Sequence, residues 1–99
     1  MMKRIFKNKS KLRIQINTKN NLTGWVQVFV LARKPDETVK IFPAVVKDVE
    51  SGLIFFDLTD ENDIDDSGWW TLWPEVIFDD DRTSCGMASK FFVYEPGSL

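Results

Sequence analysis

Three tryptophans fall within five positions, Trp69, Trp70 and Trp73, straight after the acidic turn Asp65-Asp66-Ser67-Gly68. Indole rings so concentrated can fill a core, stack on a flat ligand such as a sugar ring, or anchor another protein chain. Carboxylates cluster at Asp57, Asp60, Glu61, Asp63, Asp65 and Asp66, and again at 79–81. Oxygen ligands at such density can hold calcium, but no glutamate stands where a twelve-residue calcium loop needs its bidentate ligand. A solvated acidic turn explains the same residues. The chain has one cysteine, Cys85, and no histidine. Histidine-bearing zinc sites, Ser-His-Asp triads and Cys-His pairs are therefore excluded within the chain. Cys85, in "TSCG", reads as an inert thiol. No paired carboxylates, glycine-rich phosphate loop or aromatic-basic alternation marks an active site or a base-stacking surface. No enzyme activity, cofactor or metal is expected.

Ninety-nine residues with 43% hydrophobic side chains make one domain with one core. No apolar run is long enough to span a bilayer, and the start "MMKRIFKNKSKLRIQIN" lacks the apolar segment of a secretory signal. The net charge of −2 hides an asymmetry. Residues 1–20 carry seven bases and no acid, whereas the remainder carries six bases and fifteen acids. The reading is a basic N-terminal arm or first strand over 1–20 and a domain over 21–99. Lys3, Arg4, Lys7, Lys9 and Lys11 are its candidate partner contacts. They could meet the acidic body of a neighbouring copy or nucleic acid, and charge alone is weak support for nucleic acid. A solvated basic strand is the plainer alternative.

The elements that must position these side chains read as strands. No window repeats apolar residues at helical spacing. "KLRIQINT" alternates, with Leu12, Ile14 and Ile16 on one face. "GWVQVFVLARKPDET" places Val26, Val28 and Val30 on one face and Trp25, Gln27, Phe29 and Leu31 on the other. "VKIFPAVVKDV" reads as one strand, at an edge or bulged because Pro43 lacks a donor. "ESG" turns into "LIFFDLT", "DENDIDDSG" is a polar loop, "WWTLWPEVIF" is a long strand, "DDDRTSCG" is a turn region, and "MASKFFVYEP" closes the chain. Six or seven strands at this spacing predict an all-β sandwich or small barrel.

The segment Asp66-x-Gly68-x-Trp70-x-Leu72 resembles the Asp-x-Gly-x-Tyr-x-Cys corner of immunoglobulin-like domains, with Trp70 in the tyrosine place and Leu72 in the cysteine place. The order "LTGWVQVFVLARKPDETV", "PAVVKDVESGLIFFDLTDENDIDDSGWWTLWPEVIF", "SKFFVYEP" resembles a small domain of tailed-bacteriophage structural proteins, found in baseplate and receptor-binding attachment regions and in small virion proteins. It covers about residues 22–96. One departure is Glu37, where a turn glycine is usual. The resemblance implies an immunoglobulin-like antiparallel β-sandwich and a non-enzymatic virion component of a baseplate, fibre attachment, neck or capsid surface.

If Trp70 is the core residue, alternation turns Trp69 and Trp73 outward, and Trp25 and Phe29 form a second outward set. A bulge at Pro74 would instead bury Trp73. The outward reading makes Trp25, Phe29, Trp69 and Trp73 a partner interface, with other virion proteins or further copies of the chain as the expected partners, no membrane, and nucleic acid supported only by the charge of the arm. The alternative is a carbohydrate-binding module using Trp25, Trp69 and Trp73.

Overall fold

The computed structural model describes residues 4–8 and 11–97. Among them there is no helix, and nine strands form two sheets. The strands are β1 (Ile5–Phe6), β2 (Leu12–Asn17), β3 (Trp25–Arg33), β4 (Val39–Pro43), β5 (Val45–Asp48), β6 (Leu53–Leu58), β7 (Gly68–Phe78), β8 (Thr83–Cys85) and β9 (Ser89–Tyr94). The large sheet runs β1-β9-β7-β3-β4, with β8 also on β7. The small sheet runs β2-β6-β5. All pairings are antiparallel except β1 on β9, which is parallel.

Alternation builds the core. Trp70, Leu72, Pro74, Val76 and Phe78 of β7 are buried, while the residues between them are not. Val28, Val30 and Ala32 of β3 join them from the large sheet, and Ile54, Phe56 and Leu58 of β6 face them from the small one. Phe42 of β4 stacks on Phe56 across the two sheets at 5.3 Å. Among the described residues no polar side chain is buried, so apolar burial and the strand ladders carry the stability. Ile64 lies inside the polar loop yet is buried, and its carbonyl accepts from the Asn8 amide at 2.7 Å. This single apolar side chain pins an otherwise solvated loop to the core.

Four sequence expectations change. "VKIFPAVVKDV" is not one strand: the chain leaves the large sheet at Pro43 and enters the small sheet at Val45. A proline lacks the donor that a continuing ladder needs, and the switch occurs where that donor is missing. Residues 83–85, expected as turn, form β8 against β7. Pro74 causes no register shift. Its carbonyl accepts from Gly86 at 2.9 Å, so its donor-less nitrogen faces the gap where β9 has ended and β8 has not begun. Gly86 is required there, because a Cβ would lie 2.5 Å from the Pro74 ring. Finally, the shift lies in β3, between Trp25 and Gln27. It leaves Val26 exposed instead of in the core.

The predicted turn at "ESG" is present. Gly52 has φ 75°, and a Cβ on it would sit 2.1 Å from the Asn20 carbonyl oxygen. The turn after β3 explains the unusual Glu37. Glu37 donates its amide to the Lys34 carbonyl at 2.9 Å, closing a turn around Pro35-Asp36, and itself adopts φ 75°. That is the left-handed position that glycine occupies most readily.

Candidate interaction face

The inner side of the large sheet packs on the small sheet. No strand of the described residues lies over its outer side. Because cross-strand partners point to the same side, the register sorts that side into rows. Phe92 stands beside Trp69. Next comes Lys90, Thr71, Arg33 and Val39. Then Trp73, Leu31 and Ile41. Then Cys85, Glu75, Phe29 and Pro43.

Aromatic side chains gather at one end. Trp69 is 60% exposed and meets Phe92 edge-on at 5.1 Å. Phe92 meets Tyr94 edge-on at 4.8 Å, and Tyr94 contacts Phe6 of β1 at 6.0 Å. The Arg4 guanidinium lies 5.1 Å from the Tyr94 ring. Further along the strand, the Arg33 guanidinium lies 5.4 Å from the Trp73 ring, and the Trp73 indole N–H donates to Glu75 Oε2 at 3.4 Å. Trp73 is thus flanked by a cation toward one end of the strand and an anion toward the other, and it is half-buried.

The outer side of the small sheet has a different chemistry. Arg13, Gln15, Asn17 and Asp57 project there, with Phe55, Leu53 and the exposed Val45 among them. Arg13 Nε donates to Asp57 Oδ1 at 2.8 Å, and its guanidinium covers Phe55 at 4.0 Å. The hydrogen bond from Arg13 holds the Asp57 carboxyl below its usual range. This is the ordinary solvated face of an antiparallel sheet. The large sheet departs from it.

The expected site residues do not all meet. Phe29, Trp69 and Trp73 share the outer face. Trp25 does not, because the shifted register sets it opposite the core residue Phe78. The extra residue in one strand reverses the facing that simple alternation assigned. Trp25 is 38% exposed and lines a shallow groove with Val26, Pro43 and Ala44 that also takes in Phe29 and Ile41 of the outer face, so it meets Phe29 at the groove although its strand position faces the other way. Nine residues of β7 separate Phe78 from Trp69, so Trp25 and Trp69 are about 30 Å apart.

Of the basic candidates, Arg4 flanks the aromatic cluster. Lys7 pairs with Glu95 at 3.8 Å, and its amide donates to Tyr94 O. Lys11 is exposed beside Asp57 at the edge of the small sheet. Lys3 and Lys9 lie outside the described residues. The described part of 1–20 contributes β1 to one sheet and β2 to the other. Sequence reasoning missed Phe92, Tyr94 and Ile41 as face residues. The doublet Phe91-Phe92 was the available signal, since neighbours on a strand point to opposite faces and one phenyl ring must leave the core.

The acidic loop is occupied internally. Asp63 Oδ2 accepts from the Thr59 and Asp60 amides at 3.0 and 3.1 Å, and Asp60 Oδ1 accepts from the Asn62 amide at 2.8 Å. Asp65 Oδ1 and Oδ2 lie 2.9 Å and 3.3 Å from the Lys34 and Lys40 ammonium groups. The Lys34 contact with Oδ1 is an ion pair. Partial burial disfavours the Asp65 charge, but the two ammonium groups outweigh it and its pKa is lowered. Among the described residues no three side chains converge as a metal site.

No family model matches the chain, and no curated protein or solved structure matches it.

Proposed function

We propose that the chain is a non-enzymatic assembly module of immunoglobulin-like form that docks on protein through the outer face of its large sheet. One observation carries this reading. Of the two outward sheet faces, one mixes a paired Arg13–Asp57, Gln15 and Asn17 with Phe55, Leu53 and Val45, and the other presents the aromatic set Trp69, Phe92, Tyr94 and Trp73 with Leu31 and Ile41. Monomeric domains seldom leave two such apolar rows in water, here divided by Lys90, Thr71 and Arg33, and aromatic side chains are enriched where partners anchor.

The immunoglobulin-like reading rests on strand order and on the corner. A five-strand path whose first strand runs parallel to its last-formed neighbour faces a three-strand sheet. The Trp70 indole N–H donates to the Asp66 carbonyl at 3.0 Å, as a corner tyrosine hydroxyl reaches backbone a few residues upstream. Leu72, two residues on, is buried in the cysteine place. The resemblance of residues 22–96 to tailed-phage structural domains supports a place in a virion, as a baseplate, fibre-attachment, neck or capsid-surface component.

Hydroxyl-radical footprinting of the free chain against the chain in its native assembly tests the docking reading. Protection should fall on Trp69, Phe92 and Ile41 and should spare Phe55 and Val45 on the small sheet. Equal reactivity of the outer face in both states refutes it. A carbohydrate reading retains only Trp69 as a free platform, because Trp73 is flanked by Arg33 and Trp25 is remote. Saturable quenching of tryptophan fluorescence by a polysaccharide, lost in Trp69→Ala, would favour it instead.

A further inference from the structure

We infer that the partner on this face is a second copy of the chain, crossed so that the Trp73 row of each copy meets that of the other with strands running in opposite directions. The inference rests on the docking reading above and adds the occupant and its orientation.

The charges choose the orientation. On the outer face the Lys90, Thr71 and Arg33 row lies on one side of the Trp73, Leu31 and Ile41 row, and the Glu75 and Phe29 row lies on the other. Four residues of β7 separate Thr71 from Glu75, about 13 Å. Among the described residues neither Arg33, Lys90 nor Glu75 has an ion-pair partner. A two-fold axis lying in the face, across the strands at the Trp73 row, exchanges the two flanking rows. Glu75 of each copy then faces Thr71 of the other, with that copy's Arg33 and Lys90 on neighbouring strands about 5 Å to either side. Each anion meets two cations, and this happens twice.

The other two-fold arrangement, with the axis along the strands, does not achieve this. Centred on β7 it sets Lys90 against Arg33. Centred between β7 and β3 it sets Glu75 against Phe29 and desolvates an unpaired carboxylate. The crossed arrangement also places Trp73, Leu31 and Ile41 along the axis, so that each meets its own copy, as an isologous interface requires. The available surface suits a weak dimer. The five strands hold from two to eleven residues each, and at about 4.8 Å by 3.3 Å per residue they give a footprint on the order of 500 Å² per copy. Two copies together reach about 1,000 Å², the lower bound of a specific interface.

Sedimentation of the full chain, with circular dichroism as the folding control, tests the inference. The wild-type chain should sediment as a dimer at about 100 µM. Ile41, 65% exposed, tolerates a charge in the free chain, and Ile41→Glu sets two carboxylates together on the axis and should give monomers. Glu75→Lys alone, and Arg33→Glu with Lys90→Glu, should each weaken the dimer about tenfold or more. An equimolar mixture of the two should recover wild-type association. A wild-type chain that is monomeric at that concentration overturns the inference and leaves the docking reading to footprinting. A dimer lost in Ile41→Glu but not recovered by the mixture overturns the crossed geometry while the docking face stands. A dimer unaffected by Ile41→Glu uses another surface and overturns the inference.

Discussion

The division of the tryptophans between core and outer face can be tested with one pair of substitutions. Trp70 is 0% exposed, donates its indole N–H to Asp66 O at 3.0 Å, and packs against Phe91 at 5.9 Å. Trp70→Phe removes that hydrogen bond, which costs about 1–1.5 kcal/mol with the carbonyl left without this donor. It also removes the second ring from a closed site, which costs about 1–2 kcal/mol more in lost burial and residual cavity. The sum, about 2–3.5 kcal/mol, is a large part of the ~5–15 kcal/mol that holds a domain together. With a urea slope near ~1 kcal/mol/M for a small domain, the unfolding midpoint should fall by about 2–3 M. Trp69 is the neighbouring residue but is 60% exposed and loses only part of its edge contact with Phe92. Trp69→Phe should change stability by less than about 0.5 kcal/mol. The assay is urea unfolding of the two variants beside the wild type, followed by far-UV circular dichroism. Equal midpoints in the two variants, or a larger loss in Trp69→Phe, would mean that β7 presents its other side to the core and would remove the outer face as described.

Glu37→Gly should raise the thermal midpoint, because it releases about 1–2 kcal/mol of left-handed strain at φ 75° against a smaller loss from a more flexible unfolded chain; a lowered midpoint refutes the strain argument. Gly86→Ala should destabilise the chain by about 1–3 kcal/mol, since its Cβ meets the rigid Pro74 ring at 2.5 Å, and the double variant Gly86→Ala with Pro74→Ala should recover part of that loss in the same melting assay. Asp65 has a folded-state pKa below its unfolded value. Its stabilisation is therefore fully present above the usual carboxylate range and is lost as pH falls through the lowered folded value. Asp65→Asn should lose on the order of 1 kcal/mol at neutral pH, and the gap to wild type should close in acid; a gap independent of pH between 7 and 2.5 refutes the ion-pair account.

Strand content was readable because polar and apolar residues alternate cleanly in 12–17, and β2 follows that alternation residue by residue; 69–78 is apolar on both faces, and in β7 burial rather than polarity alternates. Pro74 fits a central strand only because the neighbouring chain departs at 86–88, a coincidence of two distant segments that no local pattern records. The register shift at Trp25 was equally hidden. "WVQVFV" alternates without a flaw, and only pairing with Phe78 and Ile77 shows that one residue is extra. The sheet switch at Pro43-Ala44 reads as one interrupted apolar run because both halves bury a similar face. β8 has three residues, too few for a period. For the candidate face, Phe29 was readable from alternation, and Trp69 and Trp73 from alternation once the corner resemblance put Trp70 in the core. Phe92, Tyr94 and Ile41 join them through pairings between strands far apart in sequence.

The outer face also explains how such a surface is tolerated before it is covered. Its rings do not stand singly in water. Trp69, Phe92, Tyr94 and Phe6 lie against one another in a chain of tilted and edge contacts, so each hides part of its neighbour. The Arg33 guanidinium lies over Trp73, and that of Arg4 over Tyr94. Both cations keep their heads at the surface, where water solvates them in the free chain. These cations cover apolar surface when the face is open and are available for an anion when it closes. The paired charges of the small sheet lack that second use, because Arg13 is already committed to Asp57. Glu75, Arg33 and Lys90, each touching at most Trp73 and none of them in an ion pair within the chain, are the pattern expected of charges held for a contact outside it.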